Sequence, residues 1–371
     1  MSDSAFNRPI DRRTLLQYFA CAGAGLALAP LASFPSRLFA APAIPADWQG
    51  LNPSDVEALV PGLMKEFNVP GVSVALIRDG EIVWRGAFGH LRADKESPVT
   101  TDSIFQAASI SKPVFSIGVM KLVEDGVLDL DKSLQSYLDK PWLENEPQLE
   151  KVTARMVLSH TTGWPNWREG KPLTFLHPPG TKHTYSGEGF VYLQTVVEHI
   201  VGVPLNDWLR DNVLVPLGMT ASSYTWLPRM EEIGAWGHDA NAKVSPPRKF
   251  RNAMTSHSLL TNAGELAKAL AFMINQPTVP GLPKPETLMS MLEPQTVVSK
   301  QKGTYRGLGW ALQEKPKLFY HTGSNGGGHR AVAMASLESK AGIVVMTNGP
   351  KGRDLYRKLI QSVTGPQPAL S

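Results

Sequence analysis

Strand signals stand at both ends of this chain and are missing from its middle. Residues 71–78 (GVSVALIR) and 81–88 (EIVWRGAF) read as strands, and Asp79-Gly80 between them suits a two-residue hairpin turn. Strand character returns at 307–312, 318–321, 329–337 and 342–347. Helical periodicity fills the interval, at 109–126, 129–139, 152–159, 187–201, 205–213, 262–275 and 286–293. Residues 53–67, with a break expected near Pro61-Gly62, and 353–363 read as terminal helices. Strict strand–helix alternation is missing, which argues against a doubly wound parallel sheet. The expected class is α+β: one antiparallel sheet built from both chain ends and flanked by the terminal helices. A large helical lobe, about residues 105–305, is inserted into it, and the cleft between lobe and sheet is the natural place for chemistry. The catalytic domain is expected to span 44–364, with a loose tail at 365–371.

Residues 1–43 read as an address. Arg12-Arg13 precede an apolar stretch rich in Ala and Gly, from Tyr18 to Leu31, and Ala41-Pro42-Ala43 fits a small-x-small cleavage site. This resembles a twin-arginine export signal, so the mature chain is expected in the periplasm, starting near Ile44. A retained anchor is the alternative, weakened by Gln17 and Pro30 within the stretch. Cys21, the one cysteine, lies here, so the mature chain has no thiol for a nucleophile, a metal or a disulfide. The net charge is +4, without a run of Lys or Arg, which speaks against a nucleic-acid partner. The export machinery is the one macromolecular partner expected, and the mature protein is expected to be a monomer.

Ser109 and Lys112 open the first long predicted helix, three residues apart and so on one face. A serine hydroxyl needs a nearby base to act as a nucleophile, and a lysine amine serves once burial lowers its pKa. The free N–H groups of a helix start also favour developing negative charge. A second Ser-x-x-Lys, Ser299 to Lys302, sits in a polar stretch without helix context and reads as solvated loop.

Three further segments follow in order: TARMVLSHTTGWP at 153–165, PGTKHTYSGEG at 179–189 with Tyr185, and YHTGS at 320–324. With Ser109–Lys112, and with PLGM at 216–219 and GLGW at 307–310, the chain resembles the serine β-lactamase and penicillin-binding-protein superfamily in its class C-like branch. The likeness runs from about 53 to 350. It implies Ser109 as the acylated nucleophile, Lys112 as its activator and Tyr185 as proton shuttle. It implies His321, Thr322 and Gly323 as the strand edge beside the substrate, and the N–H groups of Ser109 and Ser324 as the oxyanion hole. The pattern departs at two positions. Gly187 stands where the family usually has asparagine, and His321 where many β-lactamases have lysine; imidazole is less often charged at neutral pH.

Other residues carry competing readings. Glu188 is a candidate replacement for the missing amide. Trp164 and Trp167 either line the cleft mouth or pack structurally, and Arg330 either binds a substrate carboxylate or is a solvated strand-edge charge. His160 is expected to brace a turn. No His-Glu-x-x-His or dinucleotide fingerprint is present, and no cofactor is required. His183 and His321 are expected to approach each other at the cleft, which leaves a divalent metal there open. The implied function is a periplasmic serine hydrolase of small molecules working through a Ser109 acyl-enzyme. β-Lactam hydrolysis is favoured over an esterase or D-amino-acid peptidase, and over a non-catalytic binder on the same fold.

Overall fold

A computed structural model describes Trp48, residues 51–367 and Leu370. The stretch read as an export signal, with Arg12, Arg13 and Cys21, lies outside the described residues. In chain order the elements begin with α1 (Pro53–Phe67), β1 (Gly71–Arg78), β2 (Glu81–Gly89), the two-residue β3 (Phe105–Gln106) and α2 (Ser111–Glu124). The lobe continues with α3 (Ala154–Leu158), α4 (Gly187–Val201), α5 (Leu205–Leu209) and α6 (Met230–Ile233). Short strands β4 (Gly237–His238), β5 (Val244–Ser245) and β6 (Leu260–Thr261) precede α7 (Ala263–Asn275) and α8 (Pro285–Met291). The chain returns to the sheet through β7 (Thr296–Ser299), β8 (Thr304–Arg306), β9 (Ala311–Gln313), β10 (Leu318–Ser324), β11 (Arg330–Ser336) and β12 (Ala341–Thr347), and α9 (Gly352–Thr364) follows.

Eight strands form one antiparallel sheet in the order β2-β1-β12-β11-β10-β9-β8-β7, so the two chain ends meet at β1 and β12. The period-two geometry of a strand assigns the faces. Val72, Val74 and Leu76 of β1 pack with Val332, Met334, Ile343 and Val345 against α1 and α9. Ala75 and Ile77 join Ala331, Ala333, Val344 and Met346 on the opposite face, which α7 covers with Ala267, Leu270 and Ile274. The alanines let α7 lie close to the sheet. Asp79 (φ 52°) and Gly80 (φ 78°) both adopt left-handed backbone, as a type I′ hairpin requires.

The structure differs from the sequence reading in four places. Helix α1 runs through Pro61 without a break, because Val56, Val60 and Leu63 bury one face of it. Residues 307–312 are not one strand: Gly307–Trp310 is the turn between β8 and β9, with Gly307 N–H donating to the Trp310 carbonyl. Gly309 there has φ +88°, and a Cβ on it would stand 2.4 Å from Ser116 Oγ, so only glycine fits. The sheet also takes β7 and β8 from a stretch expected to be lobe; both are too short for a periodicity signal. Finally, the tail is not loose at its described residues: Gln367 is buried and bonded to Thr364, and Leu370 joins the core beneath α1. Among the described residues, no helix is long and apolar enough to cross a membrane.

Leu359 of α9 is fully buried between helix and sheet. Leu359→Ala is expected to lower unfolding free energy by about 2–5 kcal/mol, read from the urea midpoint at unchanged m-value.

Candidate active site

A short 3₁₀ turn, Ala108–Ile110, runs directly into α2 and carries Ser109, while Lys112 sits on the first turn of the helix. Ala108 holds φ +50°, a left-handed conformation costing on the order of 1–2 kcal/mol for a residue with a Cβ. Strand β10 passes so close to this turn that a Cβ on Gly323 would lie 2.2 Å from the Ala107 carbonyl oxygen. Glycine at 323 is therefore what lets the strand end lie against the nucleophile. Strand β9 pairs with β10 only from Leu318 to Tyr320, so His321–Ser324 keep one edge free of a strand neighbour.

Lys112 is fully buried. Its Nζ donates to Ser109 Oγ at 3.3 Å and to the Ser256 carbonyl at 2.7 Å, and lies 4.9 Å from the Tyr185 ring centroid. Burial pulls the Lys112 pKa down; Tyr185 opposes this and Arg306 adds to it. Burial alone would raise the Tyr185 phenol, but Lys112, Ser109 and Arg306 together bring its pKa below the ordinary value. Each group thus loses its proton at a lower pH than in water, and the two titrate as a pair. The Tyr185 hydroxyl is buried and makes no hydrogen bond of ordinary geometry.

His160, expected to brace a turn, holds the 184–186 segment that carries this tyrosine. Its ring stacks on Tyr185 at 4.2 Å, its Nδ1 accepts from the Ser186 N–H, and its carbonyl accepts from the Thr184 N–H. Burial, then the charges of Arg306 and Lys112, holds His160 neutral.

A cavity of about 450 Å³ opens over these groups, lined by Ser109, Tyr185, His321, Thr322 and Ser324. Asn166, Arg306, Ala311 and Tyr320 complete its wall. His321 is buried with Nδ1 2.8 Å from the Thr322 carbonyl and Nε2 without a partner. Burial, Arg306 and Lys112 drive its pKa well below the ordinary value, so it is neutral here.

Other candidates lie elsewhere. Trp164 is fully buried, packed on Phe175, Trp142 and Tyr192, and belongs to the core rather than the cleft mouth. Glu188 is engaged by Arg168, with Oε2 2.7 Å from Nη2 and Oε1 accepting the Arg168 N–H, so it does not replace the missing amide. Arg330 donates from Nη1 to the carbonyls of Asn325 and His329 at 2.8 Å and is no part of the cavity wall; it braces the turn after β10. Trp167 is 38% exposed and stands edge-on to His257. Its ring also explains Gly187, where a Cβ would meet Trp167 at 2.6 Å: the space of the family asparagine is filled.

Asn166, whose Oδ1 accepts from the Gly187 N–H, and Arg306 were not singled out in the sequence. The available signals were the missing amide at 187 and the position of Arg306 directly before Gly-Leu-Gly-Trp. No cluster of three metal-ligating side chains exists among the described residues. The Arg306 charge bears on both His183 and His321, which opposes a second cation beside them.

Gly187→Asn is expected to lower Tm through overpacking worth about 1–3 kcal/mol. Trp167→Ala in the same chain should recover most of that loss, and thermal melts of the four proteins in the cycle check it. A pH effect follows from the histidines. Burial lowers His183 and His257 to about 4 and His329 to about 3, from 6.5. Below 6.5 the unfolded chain gains protons that the folded one refuses, so stability is full above that pH and falls as pH drops. Urea midpoints measured from pH 7 to 5 should decline, and less steeply in His329→Gln.

The comparisons with known proteins agree with this geometry. Residues 56–363 match the Beta-lactamase family model. Penicillin-binding protein 4 of Amycolatopsis lactamdurans is 26% identical over 82% of this chain and 88% of its own length. Penicillin-binding protein 4* of Bacillus subtilis is 27% identical over 40% of this chain, a match that spans only 36% of that relative. A solved class C β-lactamase superposes with a TM-score of 0.72 at 20% identity, covering 84% of this chain and 96% of the other. With the family match running from α1 to the last turn of α9, this chain belongs to the Beta-lactamase family of serine hydrolases.

Proposed function

We propose that Ser109 is the nucleophile of an acyl-enzyme and that the favoured reaction is opening and hydrolysis of a β-lactam ring. The observation that carries this is the buried Lys112 Nζ, 3.3 Å from Ser109 Oγ and 4.9 Å from the Tyr185 ring centroid, with the free edge of β10 alongside. Members of the family act on small molecules and typically need no cofactor.

The chemistry follows from the groups present. As Ser109 Oγ adds to the carbonyl carbon, its proton passes to the Lys112–Tyr185 pair, whose lowered pKa values suit that role. The N–H groups of Ser109 and Ser324 would hold the oxyanion, and losing one such donor typically costs about 3 kcal/mol. The C–N bond breaks, and the nitrogen takes its proton from Tyr185. Water then adds to the ester with Tyr185 accepting its proton, Ser109 Oγ leaves and takes that proton from Tyr185, and the acid product departs.

A second reading, an esterase or D-amino-acid peptidase, is favoured by one observation. Trp167 occupies the space of the amide side chain missing at 187, two residues after Tyr185. Both readings use the same first step and differ in how fast the ester is cleared. The twin-arginine-like leader supports an exported enzyme that meets such substrates in the periplasm.

Incubation with a penicillin, a cephalosporin and a carbapenem, followed by intact mass, tests this. An adduct on Ser109 that forms and clears is expected for the β-lactamase. A persistent adduct favours the peptidase reading. No adduct, no hydrolysed β-lactam and turnover of simple esters would favour the esterase. Ser109→Ala should abolish turnover, and retained activity overturns the mechanism. Tyr185→Phe should lower kcat by on the order of 10²–10⁴ with Tm unchanged.

A further inference from the structure

Arg306 is the unexplained group of the cavity. It ends β8, lines the cavity with Ser109 and Tyr185, and places its guanidinium carbon 5.3 Å from the Tyr185 ring centroid. Its Nε and Nη1 are buried and have no hydrogen-bond partner, and no ion pair reaches it among the described residues. The groups around it do not neutralise it. The charge of Arg306 bears on His160, His183 and His321, each a weaker base here than in water, and on Lys112; Tyr185 and Tyr320 offer phenols only. No carboxylate lines the cavity, and Glu188, the acid of the Tyr185 motif, is bonded to Arg168. Two buried guanidinium nitrogens without a partner are unfavourable until one arrives.

We propose that Arg306 is the specificity-determining cation of this site and binds a carboxylate on the leaving-group side of the substrate. The side is set by Tyr185, which faces Arg306 and is the group placed to protonate the leaving atom. A planar fork of N–H donors suits a carboxylate in two-point contact. The cation therefore comes from β8, while the β10 position that the sequence made suspect, His321, is buried and uncharged. This also moves the carboxylate-binding role from Arg330 to Arg306. The inference rests on the Ser109 acyl-enzyme reading, and it favours acyl donors whose leaving group carries an acid over neutral esters.

The test uses the full chain and two esters that differ in one charge, phenyl acetate and 3-acetoxybenzoate. In Arg306→Gln, whatever both esters lose through Tyr185, kcat/KM for the benzoate ester should fall about 10- to 100-fold further than that for phenyl acetate. Arg306→Lys should restore part of the preference. Equal losses on both esters would mean that Arg306 acts through Tyr185 or the fold, and would overturn the proposal. Calorimetric titration with benzoate and with benzyl alcohol separates this from the acyl-enzyme reading. Benzoate should bind the wild type and Ser109→Ala alike and fail with Arg306→Gln. If wild type binds neither, or if Arg306→Gln still binds benzoate, the carboxylate site is wrong whatever the chemistry. If benzoate binds as expected but no ester acylates Ser109, the acyl-enzyme reading fails and the anion site stands. Should Arg306→Gln not fold, benzoate binding by wild type and Arg306→Lys decides.

Discussion

A lysine amine with no access to water organises this molecule. Lys112 Nζ needs acceptors inside the protein, and it takes the Ser256 carbonyl from the far side of the lobe and Ser109 from its own helix. Keeping it dry requires the lobe to close over the start of α2. Ser111 helps: its hydroxyl accepts the Leu259 N–H and its carbonyl accepts from the buried Tyr224 hydroxyl. Two of these bonds, with the Ala107 N–H donating to the Leu259 carbonyl, tie the segment 256–259 to the nucleophile turn. Without that closure the amine would be solvated, and its influence on Tyr185 would fade into water.

The fold and much of the site were legible for a physical reason. Residues that share one helix face are fixed by spacing, so Ser109 and Lys112 declare themselves along the chain, and His321 through Ser324 stand at a strand end where the resemblance to the family gives them a part. Residues that matter because two distant segments touch do not. Asn166 matters because its Oδ1 meets the Gly187 N–H, and Arg306 because β8 lies two strands from β10. The same limit explains the misplacements. Trp164 looked like a cleft residue from its motif, but its neighbours Trp142 and Tyr192 come from other elements and take it into the core. Glu188 looked free until Arg168 was seen to hold both its oxygens. Strands β7 and β8, of four and three residues, are recruited by pairing rather than by pattern.

Electrostatically the site is one-sided. His160, His183 and His321 are uncharged by burial and by their cationic neighbours, leaving Lys112 and Arg306 as the groups that set the potential around Tyr185. Such a field suits a tyrosine that must part with its proton and take it back. It also suits charge that develops negatively on a substrate. The departure at His321 then reads as coherent: a permanent cation on β10 would crowd Lys112 and Arg306.

The unpaired edge of β10 has a consequence for how such a scaffold diversifies. An extended acyl group laid along His321–Ser324 is met by main-chain donors and acceptors, which are the same whatever side chains the protein carries. That contact is blind to the identity of the guest. Discrimination must then come from the cavity wall, at positions such as 166 and 306, which lie off the 321–324 edge itself. Evolution can rewrite the guest list by exchanging wall residues while the sheet, the nucleophile turn and the buried amine stay untouched.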